Sequence, residues 1–442
     1  MAWLDRITAR VILWIGALGI IAYGFPGYMN FDSNGQLEQA RTGLYDDWHP
    51  PFMARYWRLT DQIVHGPLPL FVLQTALFLW GVYGILKLRF TDRRAAIATV
   101  ALAWFPPVLV VMGAVWKDAQ MMGWLVAGTM LMLRPSARAR IGGAVLVIFG
   151  CAIRDNAITA LPPLMLVIAY YAGVRGFLKI VGVGIAMFAI IAFASMRLNK
   201  HYTDGRAFAW WKANAIHDIA GTMCFAPPIS DEKAHELLAG IPLRRDEGIQ
   251  AQMCKQYNPR WWFPLSFGGD QALFVVTPDQ ADMDARKAAY FRLVKAYPAA
   301  FAHHRWNVTR ELLGLGEAIP DEPVIQTFAG TPGQALEDRT EGSLSKVQRV
   351  LGRKFVKMAS PDKLWFRPWA YMLIGLCMLG YAIVKRDGLV AAIVGSGLLY
   401  EASFALGAAG APYRYSHWMI TMCCLAVLIV FGERYRAGRV AH

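Results

Sequence analysis

Apolar residues run along this chain in long, nearly uncharged blocks, each closer to the length of a bilayer crossing than to the buried stripe of a soluble helix. Windows of about 20 residues place such blocks near 8–26, 68–88, 95–114, 119–133, 141–155, 156–173, 177–196, 368–384, 389–406 and 416–432. Paired prolines in Trp104-Phe-Pro106-Pro107 and Leu161-Pro162-Pro163 predict kinks. Two polar stretches interrupt the blocks, 27–67 and 197–366, and the second is long enough for a small domain. It carries an amphipathic helix from Met283 to Leu315, broken at Pro298, and a Gly/Thr/Ser-rich loop from Gly330 to Lys346. The pattern predicts an all-α polytopic membrane protein with about ten transmembrane helices. Its parts are an N-terminal transmembrane module over 1–196 that includes the loop 27–67, a mainly helical extracytoplasmic domain over 197–366, and C-terminal transmembrane helices over 367–442. No internal repeat is visible, which counts against an inverted-repeat transporter.

Charge orients the blocks. Arg6 and Arg10 precede the first span; Lys87, Arg89, Arg93 and Arg94 follow the second; Arg134, Arg138 and Arg140 follow the fourth. Arg175, Lys179, Lys385, Arg386, Arg434, Arg436 and Arg439 complete the set. With alternating spans all of them fall on one side, which the positive-inside rule makes cytoplasmic, together with both termini. The N-terminus has the charge order of a signal peptide but no small-residue cleavage site, so it is expected to remain as the first helix. Only 17% of the 442 residues are charged, against 56% hydrophobic, as suits a chain solvated mainly by lipid. The net charge of +14 lies in short loops and not on one face, which argues against a nucleic-acid partner.

Six charges stand apart from this arrangement at the outer ends of spans: Asp32, Lys117, Asp118, Arg154, Asp155 and Arg414. A charge at membrane depth is costly, so these cations need a reason. One phosphate shared by Lys117, Arg154 and Arg414 supplies it; pairing with Asp118 and Asp155 is the plainer alternative. Asp32 or Ser33 can cap a short helix with Gln36, whose stripe of Leu37, Ala40 and Leu44 suits the bilayer surface. Asp32 is then either a cap alone or a carboxylate poised to take a proton from an acceptor. In Tyr45-Asp-Asp47-Trp48-His49-Pro50-Pro51 the prolines hold His49 in place, as a rigid loop or as an orienting group beside a site. The pairs Trp210-Trp211 and Trp261-Trp262 can stack on sugar faces or mark the membrane interface, and the interfacial role is the default. Cys224 and Cys254, both in the outer segment, can form a disulfide if the compartment is oxidising, whereas Cys151, Cys377, Cys423 and Cys424 read as packing residues within spans.

An outer loop with an early Asp32 and Trp48-His49-Pro50-Pro51, then short-looped spans carrying Trp116-Lys117-Asp118 and Arg154-Asp155-Asn156, resembles bacterial GT-C glycosyltransferases, which include the protein mannosyltransferase and aminoarabinose transferase families. The likeness covers mainly residues 1–200, with Pro412-Tyr413-Arg414-Tyr415 as an echo near the last span. It implies inverting transfer of a sugar from a polyprenyl-phosphate donor to a glycan, lipid or protein acceptor of the cell envelope, at the outer face of the bacterial cytoplasmic membrane. Asp32 would be the general base; Lys117, Arg154 and Arg414 would hold the donor phosphate; Asp47, His49, Tyr413 and Tyr415 would orient donor or acceptor. A divalent metal is compatible with the resemblance. Two alternatives compete. A flippase of a lipid-linked glycan should carry ionisable residues inside its spans, where Glu401 is the main example. A non-catalytic assembly protein gives no reason for Asp32 and the outer cations to converge.

Overall fold

A computed structural model describes residues 8–46, 48–204, 209–267, 269, 272–275, 280–326 and 344–440. Asp47 and most of the expected loop, residues 330–343, lie outside that set. The described residues form helices and turns, with isolated backbone bridges and no strand among them. The helices are α1 (Ala9–Gly24), α2 (Phe31–Thr42), α3 (Pro51–Asp61), α4 (Leu68–Leu86), α5 (Asp92–Ala103), α6 (Pro106–Met112), α7 (Lys117–Met132), α8 (Ala137–Ile153), α9 (Leu161–Tyr171) and α10 (Phe177–Tyr202). In the outer segment follow α11 (Ala209–Phe225), α12 (Asp231–Leu237), α13 (Ile249–Gln256), α14 (Phe263–Phe267), α15 (Gln280–Ala296), α16 (Pro298–Leu312) and α17 (Lys346–Met358). The chain closes with α18 (Pro368–Lys385), α19 (Gly388–Gly407) and α20 (His417–Val440).

A helix occupies each apolar block. Five described helices are long and apolar enough to cross a bilayer, or up to six if the bent pair α5–α6 counts as one span, as expected of a helical membrane protein. Lipid is the natural partner for α10, which leaves Phe177, Leu178, Ile185, Ile190 and Phe193 exposed. Small residues let the inner helices approach closely. A Cβ on Gly128 of α7 or on Gly143 of α8 would come within 2.8 Å of the other residue's carbonyl oxygen. The α5–α6 pair bends by 75° at Trp104-Phe105, where Pro106 cannot donate to the preceding turn. Leu161-Pro162-Pro163 instead opens α9 after a 3-10 turn over Asp155–Ala160, since a proline in the first turn costs no hydrogen bond.

Two expectations about the first outer loop need correction. Asn30, neither Asp32 nor Ser33, caps α2, its Oδ1 accepting from the Ser33 amide at 3.3 Å. The stripe on α2 faces protein and not the bilayer surface: Leu37 and Ala40 are buried, and only Leu44 is exposed. Pro50 and Pro51 also do more than stiffen a loop, because Pro51 begins α3. The long amphipathic helix appears as α15 and α16, divided at Tyr297 just before Pro298.

The outer segment has its own core, built from Ile216, Ile219, Met223, Leu237, Met253, Phe274 and Leu293 among others. Cys224, near the end of α11, is disulfide-bonded to Cys254 on α13, with their Cα atoms 5.1 Å apart. Backbone bonds then fasten this segment to the strip between α19 and α20. Ala411 donates to the Arg260 carbonyl at 3.1 Å, Asp321 to the Ala411 carbonyl at 2.9 Å, and Tyr413 to the Asp321 carbonyl at 2.8 Å. That strip carries Arg414.

Candidate active site

Local backbone pairing brings the first outer loop to the start of α7. The Tyr28 amide donates to Gly113 O at 3.1 Å, and Val115 N returns a bond to Tyr28 O at 2.8 Å. The Ser33 hydroxyl adds a bond to Val115 O at 2.7 Å. Asp32, in the first turn of α2, is thereby held beside Lys117, the first residue of α7. His49, just ahead of the Pro50-Pro51 helix start, closes the group.

Asp32, His49, Lys117, Arg154, Arg414 and Tyr415 line one cavity of about 390 Å3, within the usual range of ligand sites. Arg414 donates a short charge-assisted hydrogen bond to Asp32. Lys117 Nζ lies 2.9 Å from His49 Nδ1, and His49 Nε2 lies 3.6 Å from Asp32 Oδ1. An ammonium can only donate, so Nδ1 is the acceptor and the imidazole proton sits on Nε2, facing Asp32. Arg154 ends α8; its Nη1 lies 2.8 Å from Asp118 Oδ1 without hydrogen-bond alignment, and its Nε donates to Asn156 Oδ1 at 2.8 Å. The Arg154 guanidinium also sits 4.7 Å above the Tyr415 ring, which stacks on Phe404. Asp118 is 1% exposed and serves both arginines, with Arg414 Nε 3.9 Å from its Oδ2.

Three cations therefore face two carboxylates in the inner group, and the balance is positive. Arg414 is buried, yet its Nε and Nη1 have no hydrogen-bond partner. A buried guanidinium with unused donors is costly unless an anion completes it. Desolvation pushes the Asp32 carboxyl up, but Arg414 first, then His49 and Lys117, hold it well below the usual carboxylate range. Burial pushes His49 down to about 3, with Lys117 acting in the same direction and Asp32 opposing. The imidazole is neutral at physiological pH.

Not every expected residue joins the group. Tyr413 is a correction: it is fully buried, its hydroxyl donating to Pro107 O at 3.2 Å and its ring edge-on to Phe366. It faces away from the cavity because the short turn Tyr413–Ser416 sends Arg414 and Tyr415 the other way. Asp47 lies outside the described residues. Asp155 lines the rim, exposed, and accepts from Asn199 at 3.1 Å. The plainer pairing alternative is seen for Arg154, which pairs with Asp118, whereas Lys117 touches no carboxylate within 4 Å among the described residues.

The segment 197–366 also supplies cavity residues, of which Arg260, Phe263 and Asn214 were not anticipated and the Trp261-Trp262 pair was expected at the membrane interface. Arg260, ion-paired with Asp321, and Trp261, Trp262 and Phe263 wall the cavity, with Asn214 from α11. Trp262, expected at the membrane interface, is instead 7% exposed, its ring 5.4 Å from that of Trp48. Its adjacency to Trp261 was the available signal; its docking partner was not visible locally. The chain's one Asp-x-Asp, Asp282-Met-Asp284 on α15, is not part of the cavity, and Asp282 pairs with Arg286 at 2.6 Å. Among the described residues no three His, Cys, Asp or Glu side chains are grouped to ligate a metal. No protein-family model matches this chain, and no curated protein does.

Proposed function

We propose that the protein is an inverting glycosyltransferase of GT-C type, using a polyprenyl-phosphate-linked sugar at the outer face of the bacterial cytoplasmic membrane. In this reading the ten apolar blocks cross the bilayer, both termini are cytoplasmic, and the cavity opens outward. One observation carries it: a carboxylate and three cations, scattered from residue 32 to residue 414, converge on one cavity with spare guanidinium donors.

Asp32 takes the proton of the acceptor nucleophile as the acceptor attacks the anomeric carbon. The bond from that carbon to the phosphate oxygen breaks, and the electron pair leaves with polyprenyl phosphate. Lys117, Arg154 and Arg414 stabilise the charge that develops on the leaving group. The pairing of Arg414 with Asp32 makes donor and base interdependent. While Arg414 holds Asp32, the carboxylate is a weak base; a phosphate that draws Arg414 toward itself restores its basicity. Donor binding should therefore precede productive acceptor attack. Neutral His49, fixed by Lys117, keeps its Nε2 proton directed at Asp32.

The flippase alternative lacks comparable support. Glu401, the intramembrane carboxyl it would need, is buried off the cavity and accepts from Ser416 Oγ at 2.7 Å. The test is transfer by purified Asp32→Asn protein given a polyprenyl-phosphate sugar. Loss of transfer by roughly 1,000-fold with unchanged abundance and melting is expected. Full activity would remove Asp32 as the base, and lipid translocation without transfer by the native protein would favour the flippase.

A further inference from the structure

Helix α17 lies apart from the cavity and carries chemistry that glycosyl transfer does not use. Its thirteen residues, Lys-Val-Gln-Arg-Val-Leu-Gly-Arg-Lys-Phe-Val-Lys-Met, include five cations and no acid. A Ser345/Gln348 capping box fixes its start. One face is docked on the end of α1: Gln348 donates to the Phe25 carbonyl at 2.7 Å, and the Phe355 ring meets Tyr23 edge-on at 5.4 Å. The opposite face is open. There Lys346, Arg353, Lys354 and Lys357 have no carboxylate within 4 Å among the described residues. Val347, Val350 and Val356 are exposed among them, and Leu364 and Trp365 extend the apolar edge beyond the helix.

Water alone would favour the cations and penalise the valines; an apolar protein groove would do the reverse. The headgroup level of a bilayer satisfies both, with phosphates beside the cations and acyl carbons beside the valines. The docking on Tyr23 and Phe25 sets the level, because these residues close the first span at its outer end in the topology proposed above. We propose that α17 is a binding surface for anionic phospholipid headgroups of the outer leaflet. The proposal rests on that topology and not on the transfer reaction. Charge complementarity selects the occupant: four cations without a carboxylate partner among the described residues call for an anionic lipid and not a zwitterionic one.

The test uses full-length protein reconstituted in an equal mixture of phosphatidylglycerol and phosphatidylcholine, with the lipids that remain after extraction quantified by mass spectrometry. The native protein should retain phosphatidylglycerol in several-fold excess, and added salt should erode that excess. The combined Lys346→Gln, Arg353→Gln, Lys354→Gln and Lys357→Gln variant should lose it by roughly tenfold or more. Single Lys354→Gln and Lys357→Gln variants, each expected to reduce it partially, serve if the combined variant does not fold. Asp32→Asn should retain lipid like the native protein even where it no longer transfers sugar, so the two readings fail separately. An equal lipid ratio in native and variant proteins overturns the proposal. So does displacement of the lipid by inorganic phosphate at matched concentration, which would mark a free-anion site.

Discussion

Two of the buried ionic networks among the described residues differ in what they leave over. In the outer segment, Asp218 accepts from His304 Nε2 at 2.9 Å and from Arg305 Nη1 at 2.8 Å, while Tyr257 bonds the far side of His304 at 2.8 Å. Arg305 also donates to the Phe404, Ala405 and Ala408 carbonyls at 2.7–2.9 Å. It closes the C-terminus of α19, where unpaired carbonyls and the negative end of the helix dipole favour a cation. In the cavity, Arg414 donates to Asp32 and lies 3.9 Å from Asp118 through Nε, but neither Nε nor Nη1 makes a hydrogen bond. Every nitrogen of Arg305 has a partner; Arg414 has donors to spare. The first arrangement fastens two parts of the fold; the second leaves the donor capacity that the proposed phosphate would use.

Replacing the two arginines is the strongest way to break this contrast. Arg305→Ala should cost about 3–5 kcal/mol of stability by leaving Asp218 buried and without its guanidinium, seen as a large fall in thermal midpoint. Arg414→Ala should lower the midpoint less than Arg305→Ala, because it gives up only the Asp32 hydrogen bond and a long contact with Asp118, yet lower turnover by about 100-fold or more, with donor affinity falling further than acceptor affinity. If both variants lose stability equally and Arg414→Ala keeps its donor affinity, the distinction is void.

Acid titration probes both regions. Asp32 has a folded pKa depressed by Arg414, so its contribution is present above the ordinary carboxylate value and is lost only as pH falls through the folded one. His49 is held down at about 3 against an ordinary 6.5. An unfolded chain takes up that proton first, so the His49 contribution to stability declines as pH falls from about 6.5 toward 3. His217 in the outer segment, also lowered to about 3 by burial, declines over the same interval. Transfer should nevertheless show no His49 ionisation near 6.5, measured as log kcat/KM against pH with native and His49→Gln protein. A limb at that pH in the native protein, absent from the variant, would mean a protonated imidazole takes part.

The smallest effect belongs to the Cys224–Cys254 bond. Replacing both with serine should destabilise the outer segment by about 3 kcal/mol while transfer at low temperature changes little. Thiol reagents should label neither cysteine before reduction. Labelling without reductant would show that the bond is absent.

These contrasts also mark how far the sequence could be read. The helices were legible because lipid imposes long apolar blocks, and Lys117, Arg154 and Arg414 because they break the charge rule those blocks obey. The N-cap of α2 was misplaced by two or three residues, since Asn30, Asp32 and Ser33 can all cap and only the Tyr28–Val115 pairing decides among them. Tyr413 and Tyr415 look equivalent in sequence, but a single turn sends one into the core and the other into the cavity. Arg260, and the placement of Trp262 in the cavity, were out of reach for a different reason. They enter the site through backbone bonds between residues about 150 positions apart, Arg260 with Ala411, and no local pattern records such a pairing.

On the proposed reading, Lys117, Arg154 and Arg414 hold a lipid-linked phosphate beside Asp32. A cryo-electron-microscopy structure with bound polyprenyl phosphate tests it most directly. The account predicts the phosphate within hydrogen-bond distance of all three cations, with Arg414 turned from Asp32 toward it. Phosphate density elsewhere on the molecule, with the Arg414–Asp32 pair intact, would contradict it.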